Sequence, residues 1–447
     1  MDLVSHRRRL ISLAYPVYFE LLAGVAAGVI DMVWVARLGG DSVAAVAVAT
    51  NVENLLLGLI LMAGTGTTVL VARARGAEDP GGIRAAVRGG WALWALITPV
   101  VAVGGLLCRE PLARLVLGGA DESVLALASG YFAIALPGTA VFFATNVVDG
   151  VLKGAGDTRT PMRLAFLANG LILGLDPLLI LGCGLGVRGA ALATVLGRSA
   201  ALACGLVALR RNAVLRAARH AVRPTGLGAE LRRTAATGLP MSADFVVRMA
   251  GALALVAIVA RIGVGEVAAY GIATKAMYAA TMAFYAVRQA ASIRTAHLLG
   301  MGRDERVAVG RQAALVSGAL GLSAALLLLV SAPWIMAAFG ADGEVAAAGT
   351  LYLRCLGPYL VLLSVCIAVG GVFEGGGGSP ALAGVTACGV ALQLPLALGL
   401  SGLGLPGICL AMALSMGLQC AAVARMHRRL RTAGQRTRTE NTLVRTC

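Results

Sequence analysis

Two stretches of the chain repeat one another: ARLGGDSVAAVAVAT at residues 36–50 and ARIGVGEVAAYGIAT at residues 260–274. They agree at eight of fifteen positions at an offset of 224 residues, which is half the chain, and Pro16 and Pro240 are separated by the same offset. Three further pairs follow in the same order: YFAIALPGTAV at 131 with YLRCLGPYLVL at 352, GVLKGAGDTRTP at 150 with GVFEGGGGSP at 371, and GVRGAALA at 186 with GLPGICLA at 404. These matches indicate an internal duplication.

Apolar side chains dominate both copies: 58% of the 447 residues are hydrophobic, 13% are charged, and the mean hydropathy is +0.84. A soluble domain is about half apolar and about a quarter charged, so the composition excludes disorder and disfavours a soluble enzyme. A membrane-spanning helix needs about 20 mostly apolar residues, and the apolar runs lack the period-two alternation of strands. We predict twelve spans, at 10–36, 43–72, 88–108, 123–151, 162–182, 187–209, 237–262, 266–298, 308–338, 344–373, 379–400 and 404–424.

The duplication and the spans together predict the architecture. Because each half carries six spans, the two halves have the same orientation in the membrane. We therefore expect an all-α integral membrane protein with twelve transmembrane helices in two six-helix lobes, related as parallel internal repeats. Repeats of this kind in transporters place the substrate path at their interface. The predicted domains are an N-terminal lobe at 1–209, a cytoplasmic linker at 210–234, a C-terminal lobe at 235–424 and a basic cytoplasmic tail at 425–447.

The net charge of +16 would suggest nucleic acid if it lay on a soluble face. Most of the Arg residues, and Lys153, fall instead in segments that alternating spans place on one side of the membrane. Loops rich in Lys and Arg stay in the cytoplasm, so we predict that both termini are cytoplasmic. The expected partner of this charge is the lipid bilayer, and no nucleic-acid binding is expected.

Several stretches resemble the multidrug and toxic compound extrusion (MATE) family. They are VIDMVWVARLGGDSVAAVAVA after Pro16, GTGTTVLVARARGAED at 64, GVLKGAGDTRTPM at 150 and LDPLLILGCGLGVRGAALATVLG at 175. The resemblance spans nearly all of the chain, and its acidic pattern looks most like the DinF-type branch. It implies two lobes around a central cavity and export of small organic compounds, such as drugs or natural products, driven by entry of H+ or Na+.

Charged residues inside a span are functional candidates, because a bare charge there is costly. Asp31 in the first span and Asp176 in the fifth lie at similar depth, with Thr194 in the sixth span beside them. In the DinF-like branch, the residues at these three motif positions form the cation-coupling site. Glu20 lies eleven residues before Asp31 and within roughly 20° of the same helix face, so it is a possible modulator.

Two departures from the family pattern affect this candidate site. Ile172 stands where the family often has Asn, and Asn169, on the same side of the helix, is a candidate substitute. Arg198 stands where the family commonly has Gln, one turn after Thr194. A pairing of Arg198 with Asp176 or Asp31 would hold one carboxylate ionised and leave a single titrating group.

The C-terminal lobe offers a second set of candidates. Arg248 stands where other members carry an acid, and Asp244 lies one turn earlier, a spacing that allows an Asp244–Arg248 pair. We favour a neutralised structural pair over a second cation site. Lys275, Tyr278 and Arg288 in the next span form, with these two, a possible substrate cavity.

The sequence lacks the motifs of nucleotide-hydrolysing and metal-binding proteins. The chain has no nucleotide-binding G-x-x-x-x-G-K-[ST] sequence, and its Cys and His residues show no metal-site spacing. We therefore expect a transporter, not an enzyme, with no cofactor or metal, acting as a monomer in the bacterial plasma membrane. H+ is favoured over Na+ because few other oxygen ligands accompany the two Asp residues. The alternatives are a lipid-linked precursor flippase of the related superfamily and a structural or receptor-like membrane protein.

Overall fold

The structure is a computed structural model of the chain. It describes the backbone of residues 3–117, 122–221 and 226–446, and the side chains of these residues except 3–4, 115–117, 379 and 430–446. Most side chains of the predicted basic tail at 425–447, and residues 222–225 of the predicted linker, therefore lie outside the described residues.

The described chain forms α-helices joined by short turns and contains no strand, as predicted. A π-helical turn at Leu178–Gly182 follows α6, and a 3-10 turn at Ser401–Leu403 follows α14. The helices are α1 Leu3–Ala36, α2 Gly40–Gly76, α3 Pro80–Leu107, α4 Arg109–Leu117, α5 Glu122–Gly154, α6 Arg159–Pro177, α7 Val187–Arg211, α8 Ala213–Ala218, α9 Leu227–Val259, α10 Val264–Gly300, α11 Arg306–Ala338, α12 Gly343–Cys355, α13 Gly357–Gly376, α14 Ser379–Leu400 and α15 Leu405–Thr446.

Eleven of the described helices are long and apolar enough to cross a membrane. The predicted span 266–298 corresponds to α10, which has the length but carries Lys275 and Arg288 among its polar residues. The predicted span 344–373 is divided into α12 and α13 at Leu356. Pro358 explains this division, because proline lacks the N–H of a helix interior and is accepted in a first turn.

The chain divides into two compact units. The N-terminal unit is Phe19–Ser242, and the C-terminal unit is residues 1–18 with residues 243–447. The sequence predicted that residues up to 234 form a linker, but the structure places the last part of that segment in α9. Glu230 and Thr234 of α9 are buried, and Gly66 of α2 packs directly against the Thr234 carbonyl group.

Close helix contacts at glycine bring the interior of each unit together. In the N-terminal unit, Gly150 of α5 meets the backbone of Gly64 on α2. In the C-terminal unit, Gly371 and Gly375 of α13 meet the backbone of α10 at Arg288 and Ser292. Small residues allow membrane helices to approach this closely. The polar side chains beside these contacts are therefore held on rigid, closely packed helices.

Candidate functional site

Asp31 and Asp176 form the centre of the candidate site in the N-terminal unit. Asp31 lies near the end of α1, and Asp176 lies at the end of α6, just before Pro177 and the π-helical turn. Asp176 is fully buried, and both its carboxylate oxygens lack a hydrogen-bond partner among the described residues. Asp31 is half-buried, its Oδ1 likewise has no described partner, and it lies within electrostatic range of Asp176.

Close packing of α7 on α6 holds the helix that carries Asp176. A Cβ atom at Gly197 would lie 2.8 Å from the Ala168 carbonyl oxygen and 2.7 Å from Ile172 Cγ1, so only glycine permits the contact. Thr194 and Asn169 lie on these two helices and are half-buried. Neither side chain forms a hydrogen bond with a described residue. The structure thus brings their helices together but does not join Thr194 or Asn169 to the carboxylates by hydrogen bonds.

Among the described residues, Arg198 forms no ion pair with Asp176 or Asp31, so the structure does not show the pairing that the sequence left open. Its guanidinium group lies 3.7 Å from the centre of the Phe142 ring on α5, a cation–π arrangement. The acidic groups within its electrostatic range are Glu53 and the Tyr131 hydroxyl. The Phe142 ring is the direct contact of this cation, and the two acidic groups act on it from longer range.

Glu53 is an acidic candidate to which the sequence gave no role, and the structure places it near Asp31. It lies on α2, is half-buried, and is within electrostatic range of Tyr131, Arg198 and Asp31. One pattern pointed to it: Glu53 is an acid inside an apolar run. Its partners lie on other helices, and nothing in the sequence identifies them.

Glu20 belongs to a separate cluster, where it meets Lys153. The Lys153 Nζ atom lies 2.7 Å from Glu20 Oε1, and Asp149 lies within electrostatic range of both. The sequence placed Lys153 in an inner loop, but it is buried near the end of α5. Glu20 is about 16 Å along α1 from Asp31, so its direct contact is with Lys153 and not with the Asp31–Asp176 pair.

Asp244 and Arg248 form the predicted i,i+4 pair in the C-terminal unit, with Arg248 Nε 3.2 Å from Asp244 Oδ2. The pair is part of a larger network. Arg288 Nη2 donates to Asp244 Oδ2 at 2.8 Å, and Arg288 Nε donates to Glu374 Oε1 at 2.6 Å. The Thr386 hydroxyl donates to Asp244 Oδ1 at 2.5 Å and accepts from Arg248 Nη2 at 3.1 Å. The network therefore contains two carboxylates and two guanidinium groups, and its net charge is zero.

Lys275 and Tyr278 lie apart from this network. Both are exposed on α10, whereas Arg288 of the same helix is buried among its acidic partners. The structure therefore brings together three of the five residues predicted for a substrate cavity. Glu374, which the sequence left unassigned, is the additional member that compensates the second arginine.

Two carboxyl groups such as those of Asp31 and Asp176 can in principle bind and release a proton or another small cation. A buried carboxylate without a hydrogen-bond donor is costly when ionised, and a bound proton removes that cost. Among the described residues, no group of three or more His, Cys, Asp and Glu side chains is arranged to hold a metal ion.

Apolar helices with charged groups in their interior are typical of multi-pass membrane transporters. The MatE family profile matches residues 16–178 and 240–399, and the chain belongs to this family. It is 24% identical over 301 residues to the probable multidrug resistance protein YpnP of Bacillus subtilis, covering 67% of this chain and 66% of that protein. It is 30% identical over 259 residues to DNA damage-inducible protein F of Escherichia coli, covering 55% of this chain and 52% of that protein.

A solved structure supports the same fold. An outward-facing multidrug resistance MATE family transporter of the MOP superfamily superposes with a TM-score of 0.87 at 22% identity, over 96% of this chain and 97% of the other. The predicted MATE resemblance, including its link to the DinF-type branch, is confirmed, as is the all-α membrane fold. None of these comparisons favours the lipid-linked precursor flippase.

Proposed function

We propose that the chain is a secondary active exporter of small organic compounds that exchanges its substrate for protons. In this proposal, the protein lies in the bacterial plasma membrane with both termini in the cytoplasm. Asp31 and Asp176 take up a proton on the outside and release it on the inside. The change in their charge favours one packing of the helices over another and so couples proton entry to substrate exit.

One observation supports this proposal: two carboxylates lie within electrostatic range of each other inside the N-terminal unit, and their buried oxygens lack partners among the described residues. Two interacting carboxyl groups titrate as a coupled unit. Their protonation therefore changes the charge of the site and is sensitive to any movement of α1 against α6. A structural hydrogen-bonded carboxyl group would instead have donors directed at its oxygens.

The oxygen atoms around the pair favour H+ over Na+. Hard cations are held by several oxygen ligands at short distances, and neither Thr194 nor Asn169 is hydrogen-bonded to the acids within the described structure. A proton needs only one carboxylate oxygen. The coupling ion of the proposed exporter is therefore H+.

The substrate class rests on the relatives. The Bacillus subtilis relative is named a probable multidrug resistance protein, and the solved transporter is described as a multidrug resistance transporter. The buried network around Asp244 is neutral and satisfied by its own members. We therefore assign it a structural role and assign the coupling to the N-terminal unit.

Reconstitution in liposomes tests this function. Ethidium, a cationic dye, serves as the probe, and its movement is measured with a pH gradient alone and with a Na+ gradient alone. We expect movement with the pH gradient, its loss in Asp31→Asn, and no loss in Asp41→Asn, which makes the same change at an exposed position on α2. Transport by Asp31→Asn at the native rate would refute the assignment, and transport driven by Na+ alone would refute proton coupling.

A further inference from the structure

A cavity of about 230 Å³ lies at one end of the C-terminal unit, where α11 begins, α13 ends and α15 passes. Val372 and Phe373 of α13 and Met426 of α15 form its apolar wall. Gly376 and Gly378, at the end of α13 and the start of α14, complete this wall without adding a side chain. The cavity is open to the outside of the protein and is smaller than cavities that enclose a drug-sized ligand. A ligand with a long apolar part would therefore leave that part outside, along the helices.

Two arginines supply the polar part of this cavity. Arg306 is the first residue of α11, and Arg429 follows Met426 by about one turn on α15. Arg306 donates from Nε and Nη2 to the Asp304 carboxylate at 2.8 and 2.7 Å. On the other side, a Cβ atom at Gly376 would lie 3.2 Å from Arg306 Cδ and 3.8 Å from Arg306 Nη1. Asp304 thus holds one edge of the guanidinium group, and Nη1 lies toward the cavity wall.

Positive charge dominates the surroundings of the cavity. Arg425 and Arg428 of α15 are exposed close to Arg429 in the chain, and the sequence has no acidic residue from 375 to 439. Gly378 directly precedes α14, whose first turn has no side-chain cap. The N–H groups of such a helix start favour an anion. The cavity therefore suits a ligand that combines an anionic group with an apolar part.

We propose that this cavity binds an anionic phospholipid of the cytoplasmic leaflet, with the headgroup phosphate on Arg306 and Arg429 and an acyl chain against the apolar wall. Guanidinium groups bind phosphate through paired hydrogen bonds. Basic pockets between transmembrane helices on the cytoplasmic side suit anionic headgroups, and the proposed orientation places this end of the helices there. A free phosphate ester would use the arginines but would gain nothing from Val372 and Phe373. The inference is independent of the proton coupling proposed for the N-terminal unit.

Native mass spectrometry of the full chain tests this assignment. The delipidated protein is mixed with phosphatidylglycerol or with phosphatidylcholine of the same acyl chains, and bound lipid is counted at each concentration. We expect one phosphatidylglycerol to bind more tightly than phosphatidylcholine. Arg306→Gln and Arg429→Gln should each weaken its binding about fivefold, the usual effect of one arginine on an anionic lipid. Arg311→Gln is the matched control, because Arg311 is exposed on α11 and does not line the cavity.

Gly376→Leu separates a lipid site from general attraction to positive charge. It keeps both arginines and fills the cavity from its wall, and the atoms nearest its new Cβ belong to the side chains of Arg306 and Leu299. We expect it to weaken phosphatidylglycerol binding at least as much as the loss of one arginine. Native affinity in Gly376→Leu, or equal losses in Arg311→Gln and Arg429→Gln, would overturn the proposal.

Glycerol 3-phosphate separates a lipid from a soluble ligand, because it carries the phosphate without the acyl chains. We expect no displacement of phosphatidylglycerol at equal concentration, and displacement there would overturn the lipid in favour of a soluble phosphate ester. The side chain of Arg429 is exposed, so Arg429→Gln decides the role of the arginines even if Arg306→Gln fails to fold. Native phosphatidylglycerol affinity in Arg429→Gln would contradict the proposed phosphate contact.

Discussion

The ammonium group of Lys153 lies 2.7 Å from the carboxylate of Glu20 and joins α5 to α1 inside the N-terminal unit. The Lys153 side chain is 8% exposed and the Glu20 side chain is 13% exposed, so water contributes little to their solvation. Asp149 lies within electrostatic range of both. Among the described residues, Lys153 is therefore the cation that these two acids share, and its removal leaves Glu20 without its ion-pair partner.

Replacement of this lysine is the first test of the packing. We expect Lys153→Met to lower the free energy of unfolding by about 3–5 kcal/mol, the usual cost of breaking a buried ion pair from one side. Lys275→Met is the matched control, because Lys275 is the other lysine of the chain and is exposed. Unfolding of the two variants in detergent, followed by circular dichroism, provides the comparison. Equal stability of the two variants would contradict the structural role of Lys153.

The network in the C-terminal unit predicts unequal effects for its two arginines. Arg288 contacts Asp244 and Glu374, whereas Arg248 contacts Asp244 and Thr386. Arg288→Gln removes the ion-pair partner of Glu374 and should cost about 3–5 kcal/mol. Arg248→Gln leaves Asp244 paired with Arg288 and should cost about 1–3 kcal/mol, as for the loss of a hydrogen bond to a charged group. Thermal unfolding shows which of the two variants is less stable. A larger loss of stability in Arg248→Gln than in Arg288→Gln would contradict the prediction.

The close contact at Gly197 allows a test of whether the packing of α7 on α6 supports the candidate site. The new Cβ atom of Gly197→Ala would lie within 2.8 Å of the Ala168 carbonyl oxygen, which belongs to the backbone of α6 and cannot rotate away. We expect α6 and α7 to separate, with a loss of about 1–3 kcal/mol in stability and slower pH-driven ethidium movement. Gly174→Ala on α6 is the control, since no atom lies within 4 Å of its new Cβ. Native behaviour of both variants would show that the close contact is not required.

The sequence could predict residue pairs that lie one turn apart on the same helix, and residues that lie at the same depth in the membrane. The Asp244–Arg248 pair follows from one helical turn. The similar depth predicted for Asp31 and Asp176 agrees with their lying within electrostatic range of each other. The partners of Arg198 and Arg288 were not predictable in this way. Each lies on a helix distant in sequence, so the choice depends on how helices rotate and pack, which the hydrophobic pattern leaves open.

Lys153 shows a second limit of the sequence. It precedes the turn residues of GAGDTRTP at 154–161, and a lysine so close to a turn is usually placed in the loop. The structure continues α5 through Gly154 and buries the side chain against Glu20. Only the acid on another helix explains this burial, because a buried lysine requires a carboxylate partner.

Proton release on substrate binding tests the central claim most directly. Purified protein in a weakly buffered solution is mixed with ethidium, and a pH indicator reports the protons released. If substrate and proton are exchanged through the Asp31–Asp176 pair, the native protein and Asp41→Asn release protons on binding, and the double variant Asp31→Asn/Asp176→Asn binds ethidium without release. Equal proton release by the double variant and the native protein would contradict the account.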